Sequence, residues 1–107
     1  MNSKPVFPLD SVVEDLRSAI AHYKSWRPDG EAHVLGKYSE TVSWISWNPE
    51  LFPCVFGSVQ RAILKQSYYI VYFIQEKERA VVLAVLDGRM SPIAIRKLVS
   101  QRRRTKR

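Results

Sequence analysis

The run from Tyr68 to Ile74 reads Tyr-Tyr-Ile-Val-Tyr-Phe-Ile, an unbroken apolar stretch that no other in the chain exceeds in length. Aromatic and β-branched residues in such a run favour a strand. Alternation then sends Tyr68, Ile70, Tyr72 and Ile74 to one face and Tyr69, Val71 and Phe73 to the other. Both faces are apolar, so the sheet that holds this strand needs cover on both sides. Val59 to Lys65 alternates as a second strand, and Ala80 to Leu86 is a third apolar run. Between the strand of Tyr68 to Gln75 and that of Ala80 to Leu86 lie only the charged Glu76-Lys77-Glu78 and Arg79, which suits a hairpin. Three strands in meander order are expected.

The first half has a different period. Val12, Leu16, Ile20 and Tyr23 recur at helical spacing, with Glu14, Arg17, Ser18 and Lys24 on the other side. Ser11 and Glu14 have the spacing of a capping box, so a helix is expected from there to about Trp26. Arg27-Pro28-Asp29-Gly30 reads as a turn, and Val34, Tyr38, Val42 and Ile45 mark a second helix that Asn48-Pro49 stops. An αα-hairpin is therefore expected, followed by a loop bounded by Pro53 and Gly57. Ser91-Pro92 places a capping residue ahead of a proline suited to a first helical turn, and Ile95, Leu98 and Val99 give the final helix one apolar stripe.

A chain of 107 residues, 46% hydrophobic and 25% charged, is one globular domain's worth of sequence. No repeat or low-complexity linker divides it, so residues 1–101 read as one domain and 102–107 as a basic tail. The formal net charge of +7 favours an anionic partner. After Asp87 the chain carries Arg89, Arg96, Lys97, Arg102, Arg103, Arg104, Lys106 and Arg107 with no acid among them. Such a cluster can neutralise nucleic-acid phosphates, or it can be a solvated end. No aromatic residue interleaves Arg102 to Arg104 to stack on bases.

Other chemistry is sparse. Cys54, the only cysteine, has no positive neighbour in sequence and reads as a small apolar filler. With His22 and His33 it falls short of a zinc pattern, so neither a metal nor a cofactor is expected. The two histidines have no nucleophile beside them and read as surface residues. Trp26, Trp44 and Trp47 read as core or helix-interface residues, with Trp44 and Trp47 sharing a helix edge. Asp10, Glu14 and Asp15 crowd the start of the first helix, where negative charge suits the dipole. The apolar face of Tyr69, Val71 and Phe73 is the expected protein-contact surface. The N-terminal residues are not followed by the apolar run of a signal peptide, and no stretch is long enough to span a bilayer, so a cytoplasmic location is expected.

Taken in order, these residues resemble the RelE/ParE toxin family, and most closely its ParE branch, from Val6 to about Pro92. Val6-Phe7 with Asp15-Leu16, Ala19 and Tyr23 resembles the family's opening strand and first helix. Asn48-Pro49-Glu50-Leu51-Phe52-Pro53 resembles its inter-element loop. Arg61-Ala62-Ile63-Leu64-Lys65, then Tyr68, Ile70 and Tyr72, then Val81 to Leu86 and Gly88-Arg89 with Pro92, resemble its C-terminal sheet. The resemblance implies an α+β fold, a small antiparallel sheet on an N-terminal helical hairpin. With the final helix the order becomes β-α-α-β-β-β-α.

It also implies a type II toxin-antitoxin partner that wraps the toxin, as a homodimer or heterotetramer, and one of two actions. ParE-like members act on DNA gyrase without catalysis; RelE-like members cleave messenger RNA on the ribosome. The ribonuclease action implies a catalytic set of Arg61, Lys65 and Arg89. The gyrase action implies target contacts by Arg89, Arg96, Lys97, Arg102, Arg103 and Arg104, with the antitoxin on Tyr69, Val71 and Phe73. Tyr69 stands where the family's catalytic arginine is expected, and Asp87 where a histidine is frequent. The non-catalytic action is the expectation that follows. A fold-sharing module without toxicity is the third reading.

Overall fold

Residues 3–105 are described by a computed structural model. Strand β1 (Val6–Pro8) leads into helix α1 (Ser11–Lys24) and helix α2 (Gly30–Trp47). A 3-10 turn at Pro49–Leu51 precedes β2 (Cys54–Phe56), β3 (Val59–Ile63), β4 (Tyr69–Gln75), β5 (Ala80–Asp87) and helix α3 (Pro92–Arg104). The sheet order is β1-β5-β4-β3-β2. β1 pairs with β5 in parallel and the other neighbours are antiparallel, so the sheet is mixed.

Two expectations about the sheet are corrected here. Strand β2 falls in the segment expected to be loop, and it makes four strands after the hairpin instead of three. Three residues are too short to show alternation, and the turn into β3 depends on Gly57 at φ +54°, which glycine adopts readily. The sheet is not purely antiparallel, because the N-terminal strand lies beside the last one.

α1 starts at Ser11, but the expected capping box does not form. Ser11 is already helical, Asp10 holds the cap position without a side-chain bond, and Glu14 pairs with Arg17 at 2.8 Å. The helices meet at a turn where Gly30 lies against the end of α1. A Cβ there would stand 2.5 Å from the Lys24 nitrogen and 2.6 Å from the Tyr23 carbonyl carbon. α3 does begin as expected, with the Ser91 hydroxyl accepting from the Ala94 N–H and Pro92 in the first turn.

Both faces of β4 are covered. Tyr69 lies against His22 and Tyr23 of α1, with ring centroids 6.3 and 6.1 Å apart, and Phe73 meets Phe52 edge-on at 5.9 Å. On the opposite face, Ile95 of α3 shares a cavity wall with Ile70 and Tyr72. Helices thus flank the sheet, and α1 and α3 both pack on β5, which is buried from Ala80 to Leu86. A bulge between Tyr72 and Phe73 shifts the β4–β5 register, leaving Leu83 unmatched.

The open edge beside β2 is tied down by a buried amide. Gln60 donates through Nε2 to the carbonyls of Pro49 and Phe52, both at 2.8 Å, and accepts from Gln75 at 3.0 Å. These bonds satisfy the carbonyls of the 3-10 turn and fix it against the sheet.

The opposite edge is closed by side chains. β1 covers β5 only as far as Val82, whose carbonyl accepts from Leu9. Beyond it, the Asp15 carboxylate accepts the Val85 N–H at 2.9 Å, and Arg102 donates to the Leu83 carbonyl at 3.1 Å. Arg102 also donates to both Asp15 oxygens, at 2.5 and 2.9 Å. This corrects three expectations. The segment expected to be a basic tail from residue 102 is helical as far as Arg104, where α3 ends. Arg102 is an internal ligand of Asp15 and not a free cation. Asp15 sits in the buried stripe of α1 with Val12, Ala19 and Tyr23 instead of serving the helix dipole from the surface.

Candidate functional site

Arg61 of β3 stands opposite Tyr72 of β4 and lines one cavity with Tyr72 and Ile95 of α3, so Arg61 lies on the face that α3 covers. There a cavity of about 230 Å³ opens between the sheet and the start of α3, lined by Val55, Phe56, Arg61, Ile70, Tyr72, Gly88, Met90, Pro92 and Ile95. The space at Gly88 is tight: a Cβ would lie 2.6 Å from the Ile70 Cδ1, the movable end of that side chain, and 3.0 Å from the Tyr68 carbonyl oxygen. Arg96 projects from the first turns of α3 and places its guanidinium 5.4 Å from the centre of the Phe56 ring.

Arg89 sits at the rim. Its Nε and one terminal nitrogen donate to the two oxygens of Asp87 at 3.0 and 2.8 Å, and its guanidinium lies 4.1 Å from the centre of the Tyr68 ring. The hydrogen bonds from Arg89 hold the Asp87 carboxyl below the usual carboxylate range, and Asp87 raises Arg89 in turn. Burial pushes the Tyr72 phenol above its ordinary value, against the opposing pull of Arg61. The phenol therefore stays protonated at neutral pH and can donate a hydrogen bond. A guanidinium and a phenol in an apolar recess hold an anion by charge and hydrogen bonding.

The structure separates the expected catalytic set. Lys65 lines a different groove, of about 340 Å³, with Glu40, Thr41, Trp44, Leu51, Phe52 and Ile63 on the side of α2. None of the cavities described among residues 3–105 is lined by Arg61, Lys65 and Arg89 together. Of the expected target contacts, Arg89, Arg96, Lys97, Arg103 and Arg104 are exposed, while Arg102 is taken up by Asp15. Lys106 and Arg107 lie outside the described residues.

Tyr69, Val71 and Phe73 are buried, so the expected antitoxin surface is corrected. The helical hairpin chose that face of β4, and an isolated strand with two apolar faces gives no sign of which one a helix pair will take. Conversely, Trp26, Trp44 and Trp47 are exposed instead of core, at 61%, 54% and 47%. Trp44 and Trp47 do share a helix edge, with their rings 5.7 Å apart in a T-shaped pair. Cys54 is exposed on β2 and fills no interior space.

The histidines are partly buried, and His33 reaches the surface in an exposed contact with Arg27. His22 is half-buried among Tyr23, Trp26 and Tyr69, and its Nε2 is buried without a hydrogen-bond partner among the described residues. His33 lies 5.4 Å from Tyr23, centroid to centroid. Sequence reasoning missed Tyr72 and Tyr68 as site residues. The signal available was their shared alternation with Ile70, opposite the face the first helices take. No helix among the described residues is long and apolar enough to cross a membrane.

No protein-family model matches this chain, and no curated protein matches its sequence.

Proposed function

We propose that this chain is the toxin of a type II toxin-antitoxin pair, of the ParE-like kind, acting in the cytoplasm without catalysis on DNA gyrase or its DNA complex. The observation that carries the reading is the cationic recess on the α3 face of the sheet. Exposed Arg61 lines it opposite Tyr72, Arg96 lies against Phe56 of its wall, and Arg89 is carried between the lining residues Gly88 and Met90. Such a recess binds an anionic partner, and a phenol raised by burial serves as a donor there, not as a base. The ordered resemblance from Val6 to Pro92 points the same way. The ribonuclease reading needs Lys65 beside Arg61 and Arg89, and Lys65 opens onto another groove.

With Tyr69, Val71 and Phe73 covered, an apolar surface that an antitoxin can use is the groove of Trp44, Leu51 and Ile63. Exposed tryptophan beside aliphatic side chains is typical of binding hot spots.

The test is induced expression in a bacterial host without antitoxin, following growth, DNA topology and protein synthesis together. Filamentation and DNA damage with translation continuing, lost in Arg61→Ala/Arg96→Ala, is the expected result. Rapid loss of translation would move the chain to the ribonuclease action, and unimpaired growth would leave a binding module.

A further inference from the structure

The basic stretch of α3 lacks interleaved aromatics, but the fold brings aromatics and cations together at the other end of the sheet. The α1–α2 turn and the β3–β4 turn enclose a cleft of about 470 Å³ lined by Tyr23, Trp26, Arg27, His33, Gln66, Ser67 and Tyr68. Trp26 and Tyr68 are the outer walls and remain 61% and 52% exposed. Behind Trp26 lies the His22 ring, 4.7 Å away, with its buried Nε2 unpartnered. Arg89 stands over Tyr68, between this cleft and the recess that Gly88 and Met90 help to line.

We propose that this cleft binds a nucleotide, with the base stacked on Trp26 and Tyr68 and the phosphate directed toward Arg89. Three observations choose this chemistry. Exposed aromatic faces around a cleft suit a planar π-system, and base–aromatic stacking tolerates any base. Arg27 lines the cleft in a two-bond pair with Asp29, and Arg89 lies against Tyr68 in a two-bond pair with Asp87, so the guanidiniums are held in place beside the aromatic walls where a phosphate can compete for their donors. Beyond Arg89, the recess with Arg61 offers a further cation for a following phosphate. The ligand is a free nucleotide or an unpaired nucleotide of a single strand; a paired base in a duplex cannot enter. Asp87 occupies two donors of Arg89 and adds a negative charge beside the phosphate position, so it opposes binding.

Nucleotide binding by the purified chain and growth arrest in a host are separate measurements, and either can fail without the other. The experiment uses the full chain carrying Trp44→Phe and Trp47→Phe, so that emission comes from Trp26 alone. It is titrated with adenosine monophosphate, a single-stranded oligoadenylate and a duplex of the same length. Quenching by the mononucleotide or the single strand is expected, with the duplex bound more weakly; mononucleotide binding alone marks a free-nucleotide site, and tighter strand binding marks a strand site. In labelled-ligand binding, Trp26→Ala and Tyr68→Ala each weaken affinity about tenfold. Asp87→Asn strengthens it, and Tyr68→Phe retains it. Circular dichroism checks that each variant is folded. Unchanged affinity in folded Trp26→Ala and Tyr68→Ala, equal binding of duplex and single strand, or no binding would overturn the proposal.

Discussion

Arg102 and Asp15, 87 positions apart in sequence, close the unpaired edge of β5 together: one donates to the Leu83 carbonyl, the other accepts the Val85 N–H, and they bond to each other through both carboxylate oxygens. The pair ties α1 to α3 around the end of the short strand β1. It replaces the hydrogen bonds that a longer β1 would have made.

Arg102→Ala leaves the Asp15 carboxylate buried with only a backbone donor, and should cost about 3 kcal/mol in denaturant unfolding. Arg102→Met with Asp15→Leu should cost less than the sum of the single changes, because no charge is then stranded. A single-site cost below about 1 kcal/mol would rank the pair with ordinary surface bridges. Truncation after Val99 would remove this staple along with the exposed arginines, so Arg103→Ala/Arg104→Ala is the cleaner probe of target contact.

Gly30→Ala drives a methyl into backbone atoms of Tyr23 and Lys24, which cannot rotate away. Reopening the α1–α2 turn should cost about 1–3 kcal/mol, read as a lower midpoint in thermal unfolding. A midpoint unchanged from the parent would mean that the turn has slack.

Gln60→Leu removes the donor shared by the Pro49 and Phe52 carbonyls and leaves Gln75 without its acceptor. A loss of about 1–3 kcal/mol is expected, with faster amide exchange localised to residues 49–56. Exchange rising evenly across the whole sheet would contradict the local role.

Burial raises the Tyr38 phenol to about 12. An ordinary phenol in the unfolded chain ionises near 10. The folded state therefore holds its proton longer than the unfolded state does. This contribution to stability is complete below about pH 10 and is lost as pH rises toward 12. Burial also raises the phenols of Tyr69 and Tyr72, so titration of tyrosinate absorbance should show several late phenols, of which Tyr38→Phe removes one, and Tyr38→Phe should flatten the alkaline loss of stability. A titration curve identical to the parent's would mean that Tyr38 is not among the late phenols.

The sequence by itself determined the local elements, because periodicity is a property of neighbouring residues. The two helices, the strands around Tyr72 and Val85, and the cap at Ser91-Pro92 all follow from short-range patterns. It also determined that β4 needed cover on both sides. Which face received the helical hairpin was decided only in three dimensions, since Tyr69-Val71-Phe73 and Ile70-Tyr72-Ile74 are equally apolar and a strand alone cannot distinguish them. The same holds for charge. Arg102 and Arg103 are adjacent and chemically identical, yet helix phase turns one toward Asp15 and leaves the other exposed to solvent. Trp26 and Tyr68 became walls of one cleft only because two distant turns meet at the same end of the sheet, a long-range packing outcome that no local spacing encodes.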